Sequence, residues 1–177
     1  MAEHNGSEIV MGGSILAIRS ASKTRPANTT AYASGDVIAE STTVATVITF
    51  SEMVRQPGGS GVIGRVDIID SAYVATTLIC ELWLFDTTVT ADQDNAVFTP
   101  TDAELATLVA IIPVSAAYVG DATSGVGGNA ILSSGVVNTP FKCASGSTTL
   151  YGVLVARNAY VPISGEIFTV RTFIYQD

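Results

Sequence analysis

The chain has 177 residues and a net charge of −8, and its charged fraction of 14% is well below the ~25% of a typical soluble domain. Its eight Lys and Arg residues are scattered, which argues against nucleic acid as a partner because a polyanion is bound by clustered positive charge. The longest apolar stretch, 105–119, is broken by Thr107, Pro113 and Ser115 and is shorter than the ~20 residues of a membrane-spanning helix, so a membrane is not expected either. A surface with so few charges is typical of one that other protein covers in part.

The N-terminal segment differs from the rest of the chain. Residues 1–8 are small and polar and predict a flexible arm, whereas residues 9–177 contain no linker and no fixed-period repeat and predict one β-sandwich domain. The first strand is predicted over 9–19, and the turn-rich stretch 20–38 after it predicts a long loop.

The remaining elements are mostly strands. Runs rich in β-branched and aromatic residues predict strands at 44–50, 62–70, 78–86, 114–119, 131–143, 149–157 and 166–175. Thr101 and Glu104 have the spacing of a capping box, which predicts the one helix of the chain over 101–110, ended by Pro113. About eight to ten strands with one short helix between the middle strands predict an all-β fold, an antiparallel jelly-roll-like β-sandwich.

The strand predicted at 78–86 is the most apolar of these. Read at a period of two, its faces carry Leu78, Cys80, Leu82 and Leu84 on one side and Ile79, Glu81, Trp83 and Phe85 on the other. Because both faces are largely apolar, we expect this strand to be covered on both sides. One cover should be the opposing sheet, and the other a helix, a loop or a neighbouring subunit. The need for a second cover is the first indication that the protein assembles with partners.

No group of residues supplies the chemistry of a catalyst. His4 is the only histidine and lies in the predicted arm, which leaves no serine or cysteine nucleophile with a histidine base in the predicted domain. Ser20 and Lys23 match an S-x-x-K pattern, but the S-D-N and K-T-G motifs of serine acyl-enzymes are missing. Asp67 and Glu81, on strands expected to be neighbours, could form a carboxylate pair for glycoside hydrolysis, but the sequence does not fix their separation. We therefore predict a noncatalytic protein without a cofactor.

Two further groups of residues also have a structural interpretation. Oxygen ligands of the kind that bind Ca²⁺ occur at Asp86, Asp92, Asp94 and Asn95. The glycine and the final glutamate of an EF-hand loop are missing there, so we predict a solvated acidic loop and no metal. Cys80 and Cys143 lie in apolar, strand-like surroundings and predict buried free thiols, with a disulfide between facing strands as the alternative.

Several stretches resemble a known group of proteins. The segment 25–38, Arg-Pro-Ala-Asn-Thr-Thr-Ala-Tyr-Ala-Ser-Gly-Asp-Val-Ile, is similar to a loop that leads into the first long strand of small tailed-phage virion proteins. The runs 81–86, 94–98 and 101–105, followed by the Ile-Pro step at 112–113, are similar to the same group. The resemblance covers most of residues 25–115, is only loosely matched afterwards, and carries over no catalytic residues. It implies a structural protein of the capsid decoration or cement type, often a trimer on the outer shell.

Composition and resemblance together lead us to expect a virion protein that forms a homotrimer and binds the major capsid protein on the outer capsid surface. An acidic chain suits a location away from packaged DNA. The first strand and the loop 20–36 are expected to contact neighbours, and the arm is expected to order on the shell. The residues predicted at these interfaces are Arg19, Arg25, Pro26, Tyr32, Trp83 and Phe85.

Two alternatives remain open from the sequence. A tail, baseplate or fibre subunit would share nearly all of these features. A carbohydrate-binding module is the other alternative, and it predicts exposed Tyr and Trp side chains flanked by Asp and Asn in one groove.

Overall fold

A computed structural model of the chain describes residues 13–72, 77–119 and 130–177. The predicted arm with His4, and the beginning of the predicted first strand, lie outside the described residues. The described elements are β1 (Ile15–Thr24), β2 (Val37–Ile38), β3 (Ile48–Phe50), β4 (Ser60–Asp70), β5 (Cys80–Phe85), α1 (Asp102–Leu105), β6 (Leu108–Val114), β7 (Ala116–Val119), β8 (Ala130–Lys142), β9 (Leu150–Ala156) and β10 (Ile167–Gln176).

The strands form two antiparallel sheets that pack as a sandwich. The first sheet has the order β1-β10-β4-β8-β7, and the second has the order β2-β9-β5-β6 with β3 also paired to β9. Successive parts of the chain alternate between the sheets, which is the connection pattern of a jelly roll. The predicted all-β sandwich with one short helix is therefore confirmed for the described part of the chain.

The hydrophobic core lies between the two sheets. Leu82 and Leu84 of β5 and Ile63 of β4 are fully buried in one large apolar cluster. Close packing in this cluster requires a glycine on β9, because a Cβ at Gly152 would lie 3.0 Å from the Phe50 ring and 3.1 Å from Leu82. The inward-facing residues of the most apolar predicted strand thus lie where the period-two pattern predicts them.

The outward side of β5 is covered by a loop of the same chain. The Phe98 ring packs edge-on against Trp83, with ring centroids 5.4 Å apart, and against Phe85 at 6.4 Å. Val89, from the same loop, belongs with Phe85 and Val153 to a second buried apolar cluster. The prediction that β5 is covered on both sides is confirmed. Because a loop of the same chain provides the second cover, the two apolar faces of β5 are not evidence for a partner.

The predicted helix is much shorter than expected. It begins after Thr101, whose side chain and Glu104 form the predicted capping box, but it ends at Leu105 instead of 110. Residues from Leu108 onward form β6, because alternate side chains point into the core at a period of two and pair the strand with β5. Pro113 does not end the helix but lies in β6, an edge strand, where its missing N–H costs little.

Two other boundaries differ from the sequence-based expectation. The predicted loop 20–38 contains part of β1 and all of β2, and the predicted strand 44–50 is reduced to β3. The two short strands β2 and β3 pair with successive parts of β9. Together they supply one edge of the second sheet, and the loop between them helps to cover its outward side.

Candidate functional site

Two of the predicted interface residues, Arg25 and Tyr32, form a buried cluster with Asp94. Arg25 Nη2 donates to Asp94 Oδ2 at 3.0 Å, and neither side chain is exposed. The Tyr32 hydroxyl donates to Asp94 Oδ1 at 2.5 Å and accepts from Arg25 Nε. Burial and the hydrogen bond to Asp94 raise the pKa of Tyr32 far above its usual value, so this hydroxyl remains a donor.

The cluster joins two of the stretches that carry the resemblance, 25–38 and 94–98. Backbone hydrogen bonds run between them, from Val37 N to Ala96 O at 2.8 Å and from Phe98 N to Gly35 O at 3.0 Å. Since Arg25 and Tyr32 are buried inside the chain, they have no exposed surface left for a neighbour. Their predicted role as interface residues is corrected to an internal one, the fixing of these two loops.

The remaining predicted interface residues are dispersed. Phe85 is fully buried, and its predicted interface role is corrected in the same way. Trp83 is half-buried, and its indole N–H donates to Glu81 at 2.9 Å. Arg19 donates to the Glu52 carbonyl at 2.8 Å, and Pro26 is half-buried in the loop after β1. The structure therefore does not bring the predicted set together as one surface.

The carboxylate pair considered for glycoside hydrolysis does not form. Asp67 lies on β4 of the first sheet and Glu81 on β5 of the second, so the expectation of neighbouring strands is wrong. Asp67 pairs with Arg65 at 3.1 Å, and Glu81 pairs with Arg157 at 2.6 Å. Partial burial acts to raise the pKa of Glu81, but its hydrogen bonds from Arg157 and Trp83 outweigh burial and lower that pKa. Both carboxylates thus have structural partners.

The carboxylates of the acidic loop accept hydrogen bonds from other parts of the chain. Asp94 is the central acceptor of the buried cluster, which corrects the expectation of a solvated loop, and Asp92 accepts from Thr99 N at 2.8 Å. Among the described residues, no three His, Cys, Asp or Glu side chains converge to hold a metal ion.

Cys80 and Cys143 are buried free thiols, as predicted, and burial raises the pKa of Cys80 to about 12 and that of Cys143 to about 11.

A pair of buried carboxyl groups lies where β4 ends and β10 begins. The Tyr160 hydroxyl lies 2.5 Å from Glu166 Oε1 and 3.4 Å from Asp70 Oδ2. Burial, together with the neighbouring Glu166 carboxyl, raises the pKa of Asp70 to about 8. The raised pKa favours the protonated form of Asp70 beside Glu166. The Tyr160 ring stacks on Tyr32 at 6.4 Å, so this pair adjoins the Arg25 cluster.

The outward side of the first sheet carries six of the fifteen large hydrophobic side chains that are exposed among the described residues. Cross-strand pairing aligns its side chains in rows, because directly paired residues point to the same side of an antiparallel sheet. These rows, which we call the outer face, are Leu16-Tyr175-Val62-Pro140, Ile18-Phe173-Arg65-Val136, Ser20-Arg171-Asp67-Ser133-Ala116 and Ser22-Thr169-Ile69-Ile131-Tyr118. Val136 is 79% exposed and Tyr118 65% exposed, and both are large apolar side chains.

An aromatic ring between two arginines lies at the centre of the outer face. The guanidinium carbon of Arg65 lies 4.2 Å from the centroid of the Phe173 ring, and that of Arg171 lies 5.2 Å from it. Asp67 pairs with Arg65. Within the described part of the chain, no carboxylate lies within 4.0 Å of Arg171. Asp67 is also the direct cross-strand neighbour of Arg171, so the two arginines share one carboxylate and the centre of this surface has a net charge of +1.

Two hollows flank this centre. One, of about 230 Å³, is lined by Leu16, Gly64, Arg65, Val136, Asn138, Phe173 and Tyr175. The other, of about 330 Å³, is lined by Arg65, Asp67, Tyr118, Ile131, Ser133, Gly135 and Val136. Gly64 lies at the irregularity in the β4 pairing, and a Cβ there would lie 3.0 Å from the Tyr175 ring. The glycine thus allows that ring to lie flat against the sheet.

Sequence reasoning missed the outer face. Its residues come from five strands, and only the pairing register shows that they are adjacent. One signal was present in the last strand, because 166–175 is apolar or aromatic on both of its faces, much as 78–86 is. The pattern of 166–175 therefore indicates that the last strand also needs a cover on its second side, which is the outer face.

No family model matches the chain, and no curated protein matches it at a significant level. In the part of the chain that the structure describes, helices are too short and too polar to cross a membrane.

Proposed function

We propose that this chain is a noncatalytic virion structural protein of the capsid decoration or cement type, which self-associates as a homotrimer and binds the outer surface of the major capsid shell. The observation that carries the proposal is the outer face of the first sheet. Exposed apolar patches of this extent mark protein interaction sites on soluble proteins. The second sheet has its own loop cover, whereas the described residues place no cover over the outer face of the first sheet.

The chemistry of the described residues supports a structural role. Their buried carboxylates are engaged with arginines, hydroxyls or backbone amides, as the partners of Asp94 and Glu81 illustrate. The two thiols are buried and have raised pKa values, which keeps them in the unreactive protonated form. The resemblance of 25–115 to tailed-phage virion proteins is what favours a virion over other assemblies.

Cement action follows from linked equilibria. A cement protein that binds the assembled shell, and not the separated capsid subunits, lowers the free energy of the shell. Above Kd, this stabilisation grows with the logarithm of the ratio of the free cement-protein concentration to its Kd for the shell. Contacts that span the seam between two capsid subunits meet this condition, because the site exists only when both subunits are in place. The net charge of −8 is suited to the outside of a particle that is filled with DNA.

Co-sedimentation with capsid shells tests this function. The purified chain would be mixed with DNA-free shells assembled from the major capsid protein that is encoded with it, and in parallel with the unassembled capsid protein. We expect saturable binding to shells, an increase in their thermal disassembly temperature, and no binding to the unassembled protein. Absence of binding to shells at micromolar concentration would contradict the proposal.

Carbohydrate binding is the second candidate, and one observation favours it. Tyr118 and Tyr175 are exposed on the outer face, and the hollows beside them contain Asp67 and Asn138, which resembles the groove expected of such a module. The tryptophan of that expectation is missing, because Trp83 lies on the other sheet against Phe98. A glycan array with the wild-type chain and with Tyr118→Ala tests this candidate. Binding that the variant loses would support it, and a blank array would remove it.

A further inference from the structure

We infer that the outer face is the docking site for a second copy of this chain, which contacts it with a different, negatively charged part of its surface. The inference rests on the proposed self-associating function and adds to it the surface that is used and the type of symmetry. It is argued from the size of the face, from its charge and from the charge of the rest of the chain.

The outer face is large enough for a stable contact. Strands lie about 4.8 Å apart and rise about 3.3 Å per residue, so the rows, which run over residues 16–22 of β1 and across four to five strands, cover on the order of 500 Å² in projection. The relief of the protruding side chains adds to this area. A specific protein interface of standard size removes about 800 Å² from each partner. One partner of the size of this chain could therefore cover the face.

The charge of the outer face is opposite to that of the chain. Arg65 and Arg171 lie on it, and Asp67 is the one carboxylate within its rows. Elsewhere on the described part of the chain, Asp86, Asp92, Asp102 and Glu104 are exposed or half-buried and form no ion pair within 4.0 Å. Arg65 and Arg171 share the single carboxylate of Asp67, so Arg171 beside the Phe173 ring is a site for a further carboxylate at the edge of an apolar contact. A second copy supplies such carboxylates.

This distribution of charge decides the symmetry of the contact. If two outer faces met directly, the arginines of one copy would face those of the other, and Arg171 would be desolvated without a counter-charge. A contact between the outer face and an acidic surface elsewhere on the second copy avoids this cost. Such a contact is heterologous, because each copy uses two different surfaces. Heterologous contacts that close form a ring, and the smallest such ring is a trimer.

Sedimentation equilibrium with two matched pairs of variants tests the inference. Val136→Asp places a charge in the centre of the face, and Val44→Asp is its control, since Val136 is 79% and Val44 77% exposed. Arg171→Glu reverses the charge of the face, and Arg55→Glu reverses an exposed charge in a loop. Far-UV circular dichroism of each variant would establish that it is folded.

We expect the wild-type chain to have three times its 18.3 kDa mass at micromolar concentration, with association that weakens as salt is added. Val136→Asp and Arg171→Glu should weaken association at least tenfold, and both controls should leave it unchanged. The inference would be overturned by a wild-type monomer, with or without a glycan bound on this face, or by equal effects of Val136→Asp and Val44→Asp.

The capsid-binding function is tested separately by co-sedimentation. A monomer that still binds shells would overturn the inference and leave that function standing. A ring that binds no shell would refute that function and leave the inference standing.

Discussion

The Arg25 guanidinium lies 3.0 Å from the Asp94 carboxylate, and both side chains are completely buried although they are 69 positions apart in the sequence. Together with Tyr32, this pair ties the loop after β1 to the loop that covers β5. The second of these loops covers the outward side of the second sheet through Val89 and Phe98. The pair therefore helps to hold that cover in place.

Removal of one member of this pair should destabilise the fold strongly. Arg25→Ala leaves the Asp94 carboxylate buried without its cation, a change that costs about 3–5 kcal/mol. Urea denaturation followed by circular dichroism measures the loss. The control is Arg19→Ala, which removes an ion pair with Glu52 whose side chain is 77% exposed, and such surface pairs contribute about 0–1 kcal/mol. Equal losses for the two variants would contradict the role given to Arg25.

The loop cover of the second sheet can be tested through the single tryptophan of the chain. Phe98→Ala removes the ring that packs on Trp83 and Phe85, and we expect a loss of about 1–3 kcal/mol and a red-shifted, more quenchable Trp83 emission. Fluorescence with acrylamide quenching measures the exposure of Trp83. Val97→Ala, at a neighbouring side chain that is 60% exposed, should leave the emission unchanged. An unchanged emission in Phe98→Ala would show that the loop does not cover β5 in solution.

The buried carboxyl pair gives the stability of the protein a defined pH dependence. Burial and the Glu166 carboxyl raise the pKa of Asp70 from 3.8 to about 8, so in this range the folded chain holds a proton that the unfolded chain has released. Stability contributed by this proton is fully present below pH 4 and is lost as the pH rises through 8. The groups that face Asp70 are Glu166 and the Tyr160 hydroxyl, whose own pKa is raised by burial and by both carboxyl groups.

Asp70→Asn should remove this decline, because an amide has no proton to release. We expect the melting temperature of the variant to depend less on pH between 4 and 8 than that of the wild type, and its relative stability to be greatest at the alkaline end. Differential scanning calorimetry across this range measures the difference. Asp102→Asn, which neutralises an exposed carboxylate in α1, should keep the wild-type decline. A wild-type melting temperature that rises from pH 4 to 8 would contradict the assignment.

The features that sequence reasoning predicted correctly are those with local, periodic signals. Alternation of apolar residues predicted the strands and the sandwich, and the spacing of Thr101 and Glu104 predicted the helix start. The helix end was wrong because Leu108 and Val109 share a helix face with Leu105 as readily as they begin the strand that follows. Over so short a stretch, only pairing with β5 decides between the two.

The features that could not be predicted depend on contacts between distant residues. The need of β5 for a second cover was visible in its sequence, but nothing in that stretch indicated that Phe98 provides it. Likewise, Arg65, Arg171 and Phe173 meet because β4 and β10 pair in one particular register. The surface that we propose as the docking site is therefore a product of the topology, and single-strand patterns do not show it.

A cryo-electron microscopy reconstruction of the intact particle tests the central claim most directly, because it locates the chain and its contacts at once. The account predicts density for the chain outside the capsid shell, in closed groups of three, with the outer face of each copy covered by its neighbour and no copy touching DNA. Density in the tail or baseplate, or isolated copies whose outer face contacts solvent, would contradict it.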